Sequence, residues 1–324
     1  MKVFLNKRIP TIGMQLLHHK DIELILPNKD ELSREEWLSY CQKSDAILSV
    51  GKVNLDRDFF EQCPNIKAIA LYSVGYDHVD IAEATARKVA LSNTPDVLSH
   101  ATADTAFLLM QMTARKASFN LEKVKKGGWS THFNPLAHLG QELHGKTIGI
   151  FGLGRIGYEM AKQCKAAFNM KIIYHNRSRN ENAERELQAT YVSFETLLQT
   201  ADVISIHANY TPKEHYLFNK DTFAKMKSNA LLINTARGGF IRESDLYDAL
   251  VNGVIFGAGL DVTEQEPLPV NSPLLELENI NIFPHIGSAT EQAREGMAKV
   301  AAENIVAFIE GKPMPTLVNP EIYS

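Results

Sequence analysis

The stretch that decides the fold is Lys146-Thr-Ile-Gly-Ile-Phe151, followed directly by Gly152-Leu-Gly-Arg-Ile-Gly157. The first part is a short apolar run that predicts a buried strand, and the second places its glycines as G-x-G-x-x-G where a helix is expected to begin. Gly152 would permit a tight turn, Gly154 would leave room for a phosphate near the backbone, and Gly157 would let the helix pack against the sheet. Unpaired amides at the start of the helix favour a negatively charged group. The stretch therefore predicts a dinucleotide-binding site.

Composition and charge indicate a globular protein whose ligands are small molecules. The chain has 324 residues, enough for two domains, with 44% hydrophobic and 22% charged residues. Its 34 basic and 38 acidic side chains give a formal net charge of -4 without a basic block, which argues against a nucleic-acid or membrane-surface partner. The three cysteines form no C-x-x-C pair, so neither a disulfide framework nor a metal site is expected. Because no leader-like or membrane-spanning apolar run is found, we expect a cytoplasmic enzyme.

Short apolar runs alternate with helical segments along the whole chain, which predicts an α/β protein built from parallel sheets. The predicted strands are 1–5, 22–26, 46–50, 66–71, 146–151, 171–174, 202–206, 230–234, 258–262 and 280–283. Ser33-Arg-Glu-Glu36 is a capping box that predicts a helix start, and further helices are expected over 101–113 and 291–310. The second half predicts a doubly wound sheet of about six or seven strands. No strand follows the last helix, so we expect it to cross back to the first domain.

A second glycine turn follows the strand 66–71, in Tyr72-Ser-Val-Gly-Tyr-Asp-His78. A glycine at the carboxyl end of a strand exposes backbone amides to ligands in open α/β sheets. An ordinary tight turn at Gly75 explains the same residues equally well. Both interpretations therefore stay open on this pattern alone.

Three residues with complementary chemistry, Arg237, Glu266 and His285, each follow a predicted strand of the second sheet. Ligands bind at the carboxyl edge of such sheets, so we expect the three side chains to face one cleft. Reduction of a 2-keto acid by hydride transfer needs a cation that holds the carboxylate and polarises the ketone, and an acid that protonates the developing alkoxide. Arg237 fits the first role and His285 the second, with Glu266 as the carboxylate that favours a protonated imidazole. Singly, each has an ordinary alternative: a solvated loop charge, a loop cap and a turn histidine.

The loop after the strand 171–174 bears on the choice of dinucleotide. Sites that prefer NAD usually place an acidic residue about 20 residues after the glycine turn, where it holds the ribose 2′-hydroxyl. This chain instead reads Tyr174-His-Asn-Arg-Ser-Arg179, without an acid. Arg177, Ser178 and Arg179 would hold a 2′-phosphate, so we predict NADPH as the preferred cofactor, with NADH as the alternative. If the two arginines only solvate a loop, the choice stays open.

Together these motifs resemble the D-isomer-specific 2-hydroxyacid dehydrogenases, and within them the glyoxylate/hydroxypyruvate reductases. The matching segments cover most of the chain in the family's order: Ser73-Val-Gly-Tyr-Asp-His-Val-Asp80, Asn93-Thr-Pro-Asp-Val97, Gly127-Gly-Trp129, Gly152-Leu-Gly-Arg-Ile-Gly157, Asn234-Thr-Ala-Arg-Gly238, Gly259-Leu-Asp-Val262 with Glu266-Pro-Leu268, and Pro284-His-Ile-Gly-Ser-Ala-Thr290. The resemblance implies a flavodoxin-like substrate-binding domain, 1–98 plus 292–324, and a Rossmann-like NAD(P)-binding domain, 99–291, with a cleft between them. It also implies a homodimer.

The resemblance also implies a role for individual residues. Arg237 would bind the carboxylate and carbonyl of a small 2-keto acid, His285 would be the acid/base, and Glu266 would tune it. The amides of Val74 and Gly75 would hold the substrate carboxylate, which favours the functional interpretation of that turn. With Gly152 and Arg179 from the reasoning above, the predicted cofactor-binding residues are Gly152, Gly154, Arg155, Ile156, Gly157, Asn176, Arg177, Ser178, Arg179, Thr235, Ala236, Asp261 and Gly287.

The segment after Gly127-Gly-Trp129 departs from the family pattern. Mammalian-type reductases carry further tryptophans there, whereas this chain reads Ser130-Thr-His-Phe-Asn-Pro-Leu-Ala-His138, so His132, Phe133 or Leu136 could set substrate breadth. Two alternatives to a glyoxylate/hydroxypyruvate reductase stay open. One is a relative that acts on another 2-keto acid, such as 2-ketogluconate or phenylpyruvate. The other is a dinucleotide-sensing binding protein of the same fold.

Overall fold

The computed structural model describes residues 1–29, 31–129 and 131–323, in which strands and helices alternate. The strands are β1 (Lys2–Leu5), β2 (Glu23–Ile25), β3 (Ala46–Ser49), β4 (Ala68–Leu71), β5 (Ala90–Ser92), β6 (Thr147–Phe151), β7 (Lys171–His175), β8 (Thr190–Tyr191), β9 (Val203–Ile206), β10 (Leu231–Asn234), β11 (Gly257–Leu260) and β12 (Ile280–Ile282). The helices are α1 (Thr11–Leu17), α2 (Arg34–Cys41), α3 (Arg57–Gln62), α4 (Ile81–Ala86), α5 (Ser99–Ala114), α6 (Ala117–Lys125), α7 (Arg155–Phe168), α8 (Glu181–Leu187), α9 (Phe194–Thr200), α10 (Lys220–Phe223), α11 (Glu243–Val251) and α12 (Glu291–Ile309).

The chain forms two compact units: unit 1, Met1–Leu98 with Ser288–Ser324, and unit 2, Ser99–Gly287. Unit 1 holds a parallel sheet in the order β2-β1-β3-β4-β5. Strands β3 and β4 are buried along their whole length, as expected for a parallel sheet that is covered on both faces. Helix α12 packs on α1 and β4 within this unit. No helix in the described part of the chain is both long enough and apolar enough to cross a membrane.

Unit 2 holds a parallel sheet in the order β12-β11-β10-β9-β6-β7-β8. The strand order reverses between β6 and β9, because β7 and β8 extend the sheet to one side and β10 to β12 extend it to the other. Such a reversal opens a crevice at the carboxyl edge, where dinucleotides bind in doubly wound folds. The two parallel sheets confirm the predicted α/β class, and the glycine turn that follows β6 lies at this reversal.

Local sequence signals account for most element boundaries. The Ser33 hydroxyl accepts from the Glu36 amide and the Glu36 carboxylate accepts from the Ser33 amide, so the predicted capping box at α2 is confirmed. Two strands were not predicted, β5 and β8. They span 3 and 2 residues, which is too short for a periodicity signal, and each pairs with the strand that precedes it in the chain, across an intervening helix.

Candidate active site

The glycine turn between β6 and α7 has the geometry of a phosphate cradle. Gly152 has a φ of 97°, and a Cβ there would lie 2.3 Å from the Ala208 amide nitrogen at the end of β9. A Cβ on Gly157 would lie 2.6 Å from the Gly152 carbonyl oxygen, so helix and turn approach closely. In contrast, a Cβ on Gly154 would meet open space. Gly154 is the N-cap of α7, and no side chain occupies the space beside it. The backbone amides in the first turn of the helix are therefore open to a ligand.

The loop after β7 is fastened to this turn by two asparagines. Asn176 accepts from the Leu153 amide through Oδ1 at 2.6 Å, and Asn180 donates to the Leu153 carbonyl through Nδ2 at 3.0 Å. Arg177 and Ser178 are exposed between them. Asn176 was among the predicted cofactor residues, whereas Asn180 was not, although its position before Glu181 is a recognisable helix cap.

Arg179, predicted together with Arg177 to hold a 2′-phosphate, contacts an acidic side chain, and its role toward a cofactor stays a prediction. Its Nε and Nη2 donate to the two carboxylate oxygens of Glu184 at 2.9 and 2.6 Å. The Arg179 side chain is 64% exposed and that of Glu184 only 19%. Glu184 was not predicted as a partner, because it lies inside α8 and not in the loop that follows β7.

The loop after β10 carries a buried hydroxyl that lacks a partner. Asn234 accepts from the Ala236 amide at 3.0 Å and donates to the Arg237 carbonyl at 2.8 Å, which closes the loop tightly. Thr235 Oγ1 is buried without a hydrogen-bond partner among the described residues. Because buried hydroxyls are nearly always paired, a bound ligand is the natural partner for this atom.

Arg237, Glu266 and His285 follow β10, β11 and β12, which are neighbours in the sheet and run parallel. Their loops therefore leave the same edge at successive strand positions. The His285 imidazole Nδ1 lies 2.8 Å from Glu266 Oε2, and Glu266 Oε1 accepts from the Thr263 amide at 3.3 Å. The Arg237 guanidinium donates to the Ala236 carbonyl through Nη1 at 2.7 Å. The predicted imidazole–carboxylate contact is thus present in unit 2.

Asp261 fixes the backbone beside His285. Its carboxylate oxygens accept from the amides of Ile286 and Gly287 at 2.8 and 2.7 Å, and the residue is 1% exposed. Burial raises the pKa of Asp261, and the two amide hydrogen bonds oppose that shift. Thr102 donates to the Gly287 carbonyl at 3.0 Å and holds the same loop from α5. His285 itself has a φ of 55°, a conformation that this surrounding support maintains.

This arrangement can deliver a proton to a ligand. The Glu266 carboxylate accepts a hydrogen bond, so the shared proton lies on His285 Nδ1 and the second ring nitrogen, Nε2, is left for exchange with another group. A histidine held this way has the geometry that a general acid or base requires.

The predicted substrate turn lies in unit 1, after β4. Ser73 donates to the Gly75 carbonyl at 2.8 Å, and Asn93 donates through Nδ2 to the Val74 carbonyl, also at 2.8 Å. The turn is thus held by one of its own side chains, that of Ser73, and by Asn93 from the loop that follows β5. In the segment that departs from the family pattern, Phe133 and Leu136 are 91% and 79% exposed, His132 is also exposed, and Ser130 lies outside the described residues.

The family model for the NAD-binding domain of D-isomer-specific 2-hydroxyacid dehydrogenases matches residues 107–287. The chain belongs to this family. It is 42% identical to the glyoxylate reductase of Pyrococcus horikoshii, with 99% of this chain and 96% of that protein covered. The solved structure of a glyoxylate reductase from Paecilomyes thermophila superposes with a TM-score of 0.89 at 32% identity, covering 99% and 98% of the two chains.

A third relative was solved with its cofactor. An NADPH-dependent glyoxylate/hydroxypyruvate reductase from Sinorhizobium meliloti, in complex with NADP and malonate, superposes with a TM-score of 0.83 at 29% identity, covering 99% of this chain and 97% of that chain.

As a member of the 2-hydroxyacid dehydrogenase family, the chain is an NAD(P)-dependent oxidoreductase. Its residues fit a nicotinamide dinucleotide: Gly154 leaves an open approach to the first turn of α7, and the buried Thr235 hydroxyl offers an unused polar contact. The predicted cofactor role of Asp261 stays a prediction, since its carboxylate is occupied by two backbone amides.

Proposed function

We propose that this 2-hydroxyacid dehydrogenase is an NADPH-preferring reductase that converts glyoxylate and hydroxypyruvate into the corresponding 2-hydroxy acids. The observation that carries the proposal is the hydrogen bond between Glu266 and His285 at the carboxyl edge of the unit 2 sheet. Three relatives named for glyoxylate reduction support the substrate class.

In this proposal, the nicotinamide supplies the hydride that reduces the carbonyl carbon. His285 Nε2 gives a proton to the carbonyl oxygen as negative charge develops there, and the Glu266 carboxylate stabilises the protonated imidazole beforehand. Arg237 holds the substrate carboxylate and polarises the carbonyl with its planar guanidinium. The amides of Val74 and Gly75 are proposed as further donors to that carboxylate. Proton and hydride together convert the carbonyl group into an alcohol.

The preference for NADPH rests on Arg177 and Ser178. Both are exposed in the loop that two asparagines fasten to the glycine turn, and this loop follows β7, where doubly wound folds bind the adenosine ribose. A guanidinium and a hydroxyl suit a 2′-phosphate, whereas the loop offers no carboxylate to the 2′-hydroxyl.

The test is an absorbance assay that crosses NADPH and NADH with glyoxylate, hydroxypyruvate, 2-ketogluconate and phenylpyruvate. We expect the highest kcat/KM for NADPH with one of the two small acids. A higher value for 2-ketogluconate or phenylpyruvate would instead indicate a family member that acts on that larger acid. Binding of the dinucleotide without turnover of any acid would favour a dinucleotide-sensing protein.

We also propose that the enzyme is a homodimer, formed through an apolar surface of unit 2. Phe119 of α6 lines a common hollow with Leu136 and Leu139, and these side chains are 39%, 79% and 60% exposed. Trp129 and Phe133, nearby in sequence, are 80% and 91% exposed. Large apolar side chains exposed in such numbers are typical of an interface, and a second copy of the chain is the partner that the family resemblance implies.

Light scattering after size-exclusion chromatography tests this assembly. We expect twice the monomer mass for the native chain and a monomer for Leu136→Asp. The matched control is Leu275→Asp, because Leu275 is 53% exposed in unit 2 without lining the same hollow. A monomeric native chain, or a dimer that persists in Leu136→Asp, would exclude this surface.

A further inference from the structure

The cofactor loop contains two arginines in different situations. Arg177 is exposed and has no hydrogen bond or ion pair among the described residues, whereas Arg179 forms a bidentate pair with Glu184. The paired hydrogen bonds match the fork of the guanidinium to the two carboxylate oxygens. The two arginines that the sequence treats alike are therefore not equivalent.

Glu184 is itself held by a buried side chain. The Tyr174 hydroxyl donates to Glu184 Oε1 at 2.6 Å and accepts from the Asn180 amide at 2.7 Å, and Tyr174 is 0% exposed. Asn180 in turn donates to the Leu153 carbonyl in the glycine turn. A continuous chain of hydrogen bonds thus connects the phosphate cradle, through Asn180 and Tyr174, to the carboxylate that binds Arg179. Because Tyr174 is fixed in the core, Glu184 is a pre-positioned partner and not a chance surface contact.

We propose that Glu184 sets the degree of cofactor selectivity, by engaging Arg179 and leaving Arg177 and Ser178 to recognise the 2′-phosphate. Removing the charge of Glu184 would free Arg179, so that a second guanidinium could reach the phosphate. Because the guanidinium of Arg179 is already paired with a carboxylate, NADP binds more weakly than two free arginines would allow, and its advantage over NAD is smaller. This inference rests on the proposed function in requiring that the loop binds a dinucleotide and that Arg177 contacts its 2′-phosphate.

Titration calorimetry with NADP⁺ and NAD⁺ tests the proposal on the whole chain without turnover. For Arg177→Ala we expect the NADP⁺ affinity to fall by about 10- to 100-fold relative to NAD⁺, the loss typical of a charge-assisted contact. For Arg179→Ala we expect a change below about threefold, because its guanidinium is already engaged. For Glu184→Gln, which keeps the side-chain shape and an acceptor for Tyr174, the NADP⁺ affinity should rise by about three- to tenfold.

Glu181→Gln is the matched control, since Glu181 lies in the first turn of the same helix and acts on Arg179 only through its charge, without a hydrogen bond. It should leave the ratio of the two affinities within about twofold, because the charge of an exposed carboxylate is largely screened by solvent and salt. Arg177 and Arg179 are both exposed, so their variants keep the proposal testable if Glu184→Gln were to unfold.

Three results would overturn the inference. They are an equal loss of NADP⁺ affinity in the two arginine variants, no loss in Arg177→Ala, and no gain in a folded Glu184→Gln. In each case the dinucleotide still binds, so the proposed reductase function would survive. If the native chain bound neither dinucleotide, the inference and the proposed function would fail together.

Discussion

At one end of the carboxyl edge of the unit 2 sheet, the His285 imidazole pairs with Glu266, and at the other end the Arg179 guanidinium pairs with Glu184. The first pair joins two loops that leave adjacent strands, β11 and β12. The second joins a loop to the helix that follows it in sequence. Both join a basic and an acidic side chain, yet the first assembles a group that can transfer protons and the second occupies a group that could bind phosphate. Chemical type alone therefore does not define the role of a charged residue.

The largest effect on activity is expected for Arg237→Ala, at the end of the sheet edge that carries His285 and Glu266. Loss of the guanidinium should lower kcat/KM for glyoxylate by about 10³-fold, because a preorganised donor to the developing charge is removed. Steady-state kinetics measure the effect, and Arg57→Ala is the control, since Arg57 is an exposed partner of Glu61 in α3. A decrease below about tenfold would remove Arg237 from the chemistry.

Glu266→Gln should have the next largest effect. The neutral amide keeps the shape of the side chain but removes the negative charge that lies 2.8 Å from His285 Nδ1. We expect kcat/KM for glyoxylate, measured by steady-state kinetics, to fall by up to about 10²-fold. A value that equals that of the native chain would argue against a role for the pair.

Two glycines of the glycine turn are expected to have different roles, Gly152 in folding and Gly154 in ligand binding. Gly152→Ala would force a Cβ against the Ala208 backbone at a φ of 97°, so the free energy of unfolding should fall by about 2 kcal/mol or more. Gly154→Ala meets open space and should change it by less than about 0.5 kcal/mol, while weakening NADP⁺ binding. Urea denaturation and calorimetry measure the two effects. Equal destabilisation by both substitutions would contradict this division.

A smaller effect, on the pH dependence of stability, is expected from His207, which follows β9 beside the glycine turn. Burial lowers the pKa of His207 to about 3, and its Nε2 lies 2.8 Å from Ser205 Oγ. In the unfolded chain a histidine takes up its proton near pH ~6.5, so unfolding binds a proton and stability is lost as the pH falls from ~6.5 toward the folded value. This slope is at most about 1.4 kcal/mol per pH unit for one proton, and less here because His207 is partly exposed.

Urea denaturation between pH 4 and pH 7 measures this contribution. The His207→Gln variant should show a shallower fall in the free energy of unfolding than the native chain as the pH decreases. If the two curves ran parallel over this range, His207 would take up its proton equally in the folded and unfolded states.

Backbone features of the fold and the site could largely be predicted from the sequence, because they depend on local patterns. The strand–glycine–helix pattern at Gly152 marks the reversal of strand order, and residues that follow successive strands come to one edge of a parallel sheet. The partners of exposed side chains could not be predicted. Arg179 can be picked out from the loop sequence. Its ion pair with Glu184, and the hydrogen bond by which the buried Tyr174 holds Glu184, are seen only in the structure. The strands β5 and β8 were missed because their pairing is set by tertiary contacts.

The central claim is that His285 donates the proton when a 2-keto acid is reduced. A single-turnover measurement of NADPH oxidation with saturating glyoxylate, on the native chain and on His285→Gln, tests it most directly, with NADP⁺ affinity measured on both. We predict that the rate falls by at least about 10²-fold in the variant while NADP⁺ affinity stays within about twofold. An undiminished rate in the variant, or no NADPH oxidation by the native chain, would contradict the claim.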